Sequence, residues 1–139
     1  MLLFCVEGKT DDYAIFECAC SQYFKHTPKE KWLVGTNHYR AFQVNTNSQS
    51  SVARYARLEE LIKALYTQPD KVSLPADLIA ILADGKVEVQ EDNYGTVYAN
   101  IVCPGINQVW NTFGGFPAAS KGNWQCTDWP WKEDLPIFT

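Results

Sequence analysis

The chain has 139 residues, a formal net charge of −4 and a sequence pI of about 5.1. Its length suits a single domain over residues 1–139, and its 46% hydrophobic and 14% aromatic content predicts a substantial core. Lysine and arginine form no run, which argues against nucleic acid or anionic lipid as a partner. No apolar stretch approaches the ~18 residues of a membrane span, so we expect no membrane association.

The cysteines predict a cytoplasmic location with reduced thiols. The chain has an odd number of cysteines and is too long to need disulfide bonds for stability. The cysteines are Cys5, Cys18, Cys20, Cys103 and Cys126. Cys18 and Cys20 have neither metal-knuckle nor redox-motif spacing, and only His26 and His38 could assist them. We therefore expect no metal site, and no motif indicates a cofactor.

The first third of the chain predicts strands. Leu2–Val6 is a short apolar run, residues 8–12 supply turn chemistry, and residues 13–20 are rich in β-formers, which together predict a hairpin. Residues 21–31 are polar and predict a loop. The apolar run at residues 32–36 predicts another strand.

Two helices are predicted in the middle of the chain. Apolar residues recur at steps of three and four over residues 52–66, and Ser50 or Ser51 is expected to cap this helix. A shorter helix fits residues 75–83, because its first residue is a proline and Gly85 follows its end.

The last predicted elements form a second hairpin. Residues 96–103 and Gln108–Phe113 read as strands around a loop of Pro, Gly, Ile and Asn. The tail from Gly114 shows no period. Strands, then helices, then strands, without a βαβ rhythm, predict an α+β fold with a mainly antiparallel sheet and two helices on one face.

Three segments, in this order, resemble a known family: LLFCVEGKTDDYAIFECA, LVGTNHY and SSVARYARLEELIKAL. Together they are similar to the later half of the choloylglycine hydrolase and penicillin acyltransferase families. These are N-terminal-nucleophile hydrolases, which cleave or form linear amide bonds. A later stretch, YGTVYANIVCPGINQVW, looks like a closing hairpin of such proteins. The resemblance implies that the fold is part of an αββα sandwich.

The resemblance also implies roles for two residues. The family's nucleophile is an N-terminal cysteine whose own α-amino group is the base, and an asparagine donates to the carbonyl oxygen as charge develops there. Only Asn37 matches that asparagine here. Only Arg54 matches the family's arginine, whose permanent charge orients polar groups. Without the resemblance, Asn37 is an ordinary turn residue, Arg54 a solvated arginine and His38 a packing residue.

No nucleophile is expected in this chain. The family's cysteine begins a first half that precedes the segments seen here, whereas Cys5 lies inside a predicted strand. The favoured hypothesis is a non-catalytic stand-alone fragment or descendant with a binding or structural role. The alternative is a subunit of a split amidohydrolase that supplies Asn37 and Arg54 to a cysteine on a partner chain carrying the N-terminal half.

A further hypothesis is an unrelated α+β domain that binds a small molecule in a tryptophan-lined pocket. Its lining would come from Trp32, Trp110, Trp124, Trp129 and Trp131. The two predicted helices can cover only one face of one sheet, which would leave a large apolar face in water. We therefore also expect a homodimer or a higher even oligomer with a mostly apolar interface.

Overall fold

The computed structural model describes residues 2–6, 12–42, 48–103 and 106–128, with side chains from residue 12 onward. Its described residues form two three-stranded antiparallel sheets and three α-helices, so the predicted α+β class is correct. The chain divides into two compact units, Met1–Val72 and Ser73–Thr139. Whether the two fold as the one predicted domain stays a prediction.

The sheet of the first unit has the order β1-β2-β3. β1 (Leu2–Val6) pairs antiparallel with β2 (Tyr13–Ala19), as the hairpin pattern predicts. β3 (Gln22–His26) pairs with the other edge of β2. The predicted polar loop over residues 21–31 was therefore wrong in its first part, because residues 22–26, which include Tyr23 and Phe24, form an edge strand there.

Strand β2 is covered on both faces. Its successive side chains point to opposite sides, yet Ala14 is 7% and Ile15 only 2% exposed. Phe16, on the face of Ala14, lies with its ring centre 6.0 Å from that of Tyr23. The central position of β2 in this sheet follows from this two-sided apolar sequence.

Residues 32–36 are not a strand, contrary to the prediction. Val34 and Thr36 are buried, so the burial alternates as in a strand, but no neighbouring strand pairs with this segment among the described residues. Trp32 stacks on Tyr66 instead, with ring centres 5.1 Å apart. Side-chain packing rather than a strand ladder holds the segment.

Helix α1 (Gln49–Tyr66) ends where the pattern predicts but begins three residues earlier. Ser48 occupies the N-cap position, and its side chain makes no capping hydrogen bond. The predicted cap by Ser50 or Ser51 was therefore wrong. Ser51 lies inside the helix and is completely buried. Its hydroxyl donates to Thr36 Oγ1, outside the helix, and so does not cap the helix.

The second unit begins with α2 (Ala76–Leu82), close to the predicted helix. β4 (Ala99–Cys103) and β5 (Gln108–Phe113) form the predicted hairpin. The tail is not irregular as predicted: α3 (Ala118–Lys121) and β6 (Asn123–Asp128) follow, and β6 pairs antiparallel with β5. The two predicted helices thus belong to different units.

The second sheet has buried residues on both faces. Ile101 and Thr112 share one face and are 6% and 0% exposed, and Val109 on the opposite face is 5% exposed. Glu88, also buried, accepts hydrogen bonds from the backbone N–H groups of Ala119 and Ser120 at 2.5 and 3.3 Å and so holds the start of α3. The face of Val109 otherwise carries mostly polar side chains: Asn100, Asn111, Asn123, Gln125 and Thr127.

Gly115 is required by the turn between β5 and α3. Its φ is +75°, and an added Cβ would collide with the backbone of Lys121 and Gly122. We expect Gly115→Ala to lower the free energy of unfolding by ~1–3 kcal/mol. The matched control is Gly85→Ala, where an added Cβ meets nothing within 4 Å, and we expect a change below ~0.5 kcal/mol. Urea unfolding measures both, and equal effects would contradict the prediction.

Candidate functional site

The structure brings together the two residues that the resemblance singles out. Asn37 follows the buried segment at residues 32–36, and Arg54 lies in the second turn of α1. Although they are 17 positions apart, Arg54 Nη2 donates a hydrogen bond to Asn37 Oδ1 at 3.2 Å. The spatial pairing of the Asn37 amide with a helix guanidinium is therefore part of this fold.

This contact fixes which way the Asn37 amide points. A guanidinium can only donate, so the atom facing Arg54 must be the oxygen Oδ1. The nitrogen Nδ2 then faces away, and it has no hydrogen-bond partner among the described residues. Because Asn37 is exposed, its N–H groups are available to an acceptor in solution. The site offers a neutral donor beside a permanent positive charge.

Arg54 itself is half-buried and has an unused donor. Its Nε is shielded from solvent and lacks a hydrogen-bond partner in the described part of the chain. A buried donor without an acceptor costs ~1–3 kcal/mol, more for a charged group. Such an arrangement is unfavourable for the isolated fold, and a role in binding is one explanation for it.

Asn37 is flanked by a buried cluster that we call the hydroxyl–histidine cluster: Thr36, His38 and Ser51. Thr36 Oγ1 donates to the backbone carbonyl of Ser51 at 2.9 Å, and Ser51 Oγ donates to Thr36 Oγ1 at 3.0 Å. His38 Nδ1 lies 3.0 Å from both hydroxyl oxygens. Ser51 is 0% and Thr36 8% exposed. The cluster joins the segment around Asn37 to the first turn of α1.

The Ser51–His38 contact does not make a nucleophile. A nucleophilic hydroxyl must reach a carbonyl carbon, whereas Ser51 is wholly buried. His38, read from the sequence as a packing residue, also places its ring edge-on to Tyr55, with centres 5.6 Å apart. The cluster therefore organises the segment rather than attacking a substrate.

Next to the cluster, Tyr55 is held between charges. Arg40 Nη1 donates to the Tyr55 hydroxyl at 2.7 Å, and that hydroxyl donates to Glu59 Oε1 at 2.8 Å. Burial, followed by the hydrogen bond to Glu59, raises the pKa of Tyr55. The phenol therefore stays protonated at neutral pH and acts as a hydrogen-bonding group, not as a base.

Glu17, a buried carboxylate with several hydrogen-bond partners, was not identified from the sequence. It is 1% exposed, and its two oxygens accept the backbone N–H groups of Arg40 and Ala41 at 2.8 Å each, with His26 Nε2 also at 2.8 Å. Burial raises the pKa of Glu17, but the hydrogen bonds from Ala41, Arg40 and His26 together outweigh burial and leave that pKa below its ordinary value. The carboxylate thus anchors the chain just after Asn37.

A signal for Glu17 was present in the sequence. It stands in an apolar strand on the same face as Ile15, and a carboxylate at a core position must be paired or hydrogen-bonded. Its partners come from residues 40–41, which follow the structurally irregular stretch. Local patterns could therefore indicate that Glu17 needs partners but not which ones.

Among the described cysteines, Cys103 is a poor candidate for a nucleophile. Burial, followed by the nearby Cys126, raises the pKa of the Cys103 thiol and keeps it neutral. The side chain of Cys5 lies outside the described residues. Within the described ranges, no group of His, Cys, Asp or Glu has the arrangement of a metal site.

The tryptophans have individual structural contacts. Trp32 stacks on Tyr66 in the first unit. In the second unit, Trp110 Nε1 donates to Gln108 Oε1 at 3.2 Å, and Trp124 Nε1 donates to the Ala119 carbonyl at 2.9 Å. Trp129 and Trp131 lie outside the described residues. A ligand pocket lined by all five tryptophans stays a prediction.

Comparisons with known proteins add no relative to this geometry. No protein-family model, curated protein or solved structure matches the chain. In the described residues, no helix has both the length and the apolar character needed to cross a membrane. The contacts around Asn37 are therefore the basis on which a function can be proposed.

Proposed function

We propose that the chain forms the carbonyl-binding side of a linear-amide C–N hydrolase or acyltransferase site of the N-terminal-nucleophile type. One observation carries the proposal: the hydrogen bond from Arg54 Nη2 to Asn37 Oδ1, which turns Nδ2 of the exposed Asn37 away from Arg54, where no described residue accepts from it. Two residues selected by their resemblance to a family meet in space, and their relative orientation suits the role that the family gives them.

The chemistry follows from that orientation. When a thiolate attacks an amide carbon, the electron pair of the carbonyl moves to its oxygen. An Asn37 N–H that donates to this oxygen stabilises the developing charge without losing a proton itself. Arg54 holds the amide in the donating orientation, and its positive charge favours the anionic state at short range.

The chain is proposed to be inactive by itself. Ser51 is buried and the Cys103 thiol is neutral, so neither supplies the nucleophile. The cysteine would come from a partner chain carrying the N-terminal half, as in the split-enzyme hypothesis. The non-catalytic hypothesis, a stand-alone fragment or descendant with a binding or structural role, needs no such partner, and the experiment below tests the carbonyl binding that the split-enzyme hypothesis requires.

Side-chain NMR tests whether the site binds a carbonyl compound. In the ¹⁵N-labelled chain, the Asn37 NH₂ resonances are identified by their loss in Asn37→Asp, and N-octanoylglycine, penicillin G and glycocholate are titrated separately. We expect at least one acyl amide to shift these resonances and to bind less tightly to Asn37→Ala, because the Nδ2 donor is removed.

Two variants serve as controls for that titration. Asn100→Ala removes an exposed asparagine from β4 and should leave binding unchanged. Arg57→Ala removes a helix arginine that pairs with Glu60 at 2.7 Å and should weaken binding less than Arg54→Ala. If none of the three compounds moves the Asn37 resonances, carbonyl binding by this chain is contradicted and the non-catalytic hypothesis remains.

Assembly into a homodimer or a higher even oligomer is proposed as well. Large apolar side chains on strands of both sheets remain exposed, among them Tyr23 at 71%, Phe24 at 49% and Phe113 at 67%. Covering such side chains with a second copy would remove apolar area from water. Light scattering at micromolar concentration should give an even multiple of the chain mass, and a monomer would contradict this proposal.

A reducing, cytoplasmic location fits the thiol chemistry. The four described cysteines form no disulfide: Cys18, Cys20, Cys103 and Cys126. Cys20 and Cys126 are exposed, and exposed thiols persist where the surroundings are reducing. Thiol counting on the protein isolated under non-reducing conditions should find the thiols of these four cysteines reduced.

A further inference from the structure

We propose that Thr36 and Ser51 are positioning residues that hold Asn37 against Arg54. The consequence for ligand binding rests on the proposed function, whereas the geometry is independent of it. Asn37 lies between Thr36 and His38, and both neighbours make hydrogen-bond contacts with Ser51. The exposed Asn37 is thus held in place through its two sequence neighbours, Thr36 and His38.

The helix spacing makes this arrangement effective. Ser51 and Arg54 are three positions apart in α1, so they lie on the same side of the helix. Binding of Thr36 and His38 to Ser51 therefore places the intervening Asn37 next to Arg54. A hydroxyl at position 51 determines where the amide at position 37 meets the guanidinium.

The direct contact needs such support. The hydrogen bond between Arg54 Nη2 and Asn37 Oδ1 is long, at 3.2 Å, and lies in an exposed place where water competes for both groups. The hydroxyl–histidine cluster is shielded from that competition, because Ser51 is 0% and Thr36 8% exposed. The buried hydrogen bonds, rather than the exposed one, are therefore expected to fix the segment.

Substitutions at Thr36 separate positioning from stability. Thr36→Val keeps the side-chain shape but removes the hydroxyl, and Thr36→Ser keeps the hydroxyl. The matched control is Thr112→Val in the second unit, because Thr112 is also buried and its Oγ1 donates to the Ala118 carbonyl at 3.1 Å. Thr36→Val and Thr112→Val should lower stability by similar amounts.

NMR on the full chain then distinguishes the variants. In Thr36→Val we expect the order parameter of the Asn37 backbone amide to fall from about 0.85 to below about 0.6, with a changed Asn37 NH₂ resonance. Thr36→Ser should restore both values, and Thr112→Val should leave both unchanged. N-octanoylglycine should bind about two- to tenfold more weakly to Thr36→Val, the factor that corresponds to one lost hydrogen bond.

The outcomes are distinct. If Thr36→Val loses stability while the Asn37 amide stays rigid, Thr36 is only structural and the positioning role is overturned. If the Asn37 backbone amide becomes mobile in Thr36→Val, but none of N-octanoylglycine, penicillin G and glycocholate shifts the Asn37 NH₂ resonances, positioning stands and the proposed function fails. Should Thr36→Val not fold, Ser51→Ala provides the same test, because it removes the Oγ contacts to Thr36 and His38.

Discussion

Replacing Glu17 by alanine is expected to lower the free energy of unfolding of the first unit by ~3–5 kcal/mol, the range found when one partner of a buried charge network is removed. The carboxylate is 1% exposed and accepts the backbone N–H groups of Arg40 and Ala41. Without it, two amides and the ring of His26 lose their acceptor, and water does not replace it easily at a buried position.

The control for Glu17→Ala is Glu60→Ala. Glu60 also forms a short ion pair, with Arg57 Nη1 at 2.7 Å, but its side chain is 67% exposed. Exposed pairs typically contribute ~0–1 kcal/mol, so the loss should be much smaller. Urea unfolding followed by circular dichroism measures both variants. Equal losses would show that Glu17 is not the anchor that its contacts indicate.

The same carboxylate predicts a dependence of stability on pH. The pKa of Glu17 is lowered from its ordinary value of 4.5 in the folded chain. Its stabilising contribution is therefore fully present above about pH 4.5 and is lost as the pH falls through the lower folded-state pKa. Glu17→Gln should be less stable than the natural chain at pH 7, and the difference should shrink below pH 4.5. A constant difference would contradict the role of the charge.

Local sequence patterns predicted the parts of the fold that depend on local chemistry. The β1–β2 and β4–β5 hairpins each combine apolar strands with turn residues, and both formed with the expected partners. Helix α1 followed from its apolar repeat. These elements are set by neighbouring residues, so a single sequence contains the information that is needed.

The sequence-based predictions were wrong where contacts between residues far apart in the chain determine the structure. Residues 32–36 alternate in burial as a strand does, yet that alternation arises from packing rather than from a partner strand. Ser51 looks like a helix cap, but its hydroxyl contacts Thr36 and His38. Strand β6 was missed because its pairing with β5 is not encoded by a regular apolar repeat.

The candidate site was only partly accessible from sequence for the same reason. The resemblance selected Asn37 and Arg54, and the structure places them in hydrogen-bond contact. Neither the resemblance nor periodicity could show that Ser51 contacts the residues on both sides of Asn37, or that Glu17 anchors residues 40–41. Both depend on the path of an irregular segment, for which propensity gives no prediction.

The largest effect on function is expected at Asn37 in an assembled enzyme. With a cysteine-bearing partner chain that restores amide hydrolysis, Asn37→Ala should reduce kcat about a hundredfold, the typical effect of losing one oxyanion donor. KM should change little, because the donor acts mainly on charge that develops in the transition state.

Asn37→Asp makes that experiment more specific. The aspartate keeps the size of the side chain and can still accept the hydrogen bond from Arg54 Nη2, but it has no N–H to donate and adds a negative charge beside the oxyanion. Its kcat should therefore be no higher than that of Asn37→Ala, although the Arg54 contact is retained. Asn100→Ala, at an exposed position on β4, should keep full activity. Steady-state kinetics of the four proteins measures these effects. If Asn37→Asp retained activity, Asn37 would act by holding Arg54 rather than by donating to the substrate, and a proportional rise in KM would instead assign it to substrate positioning.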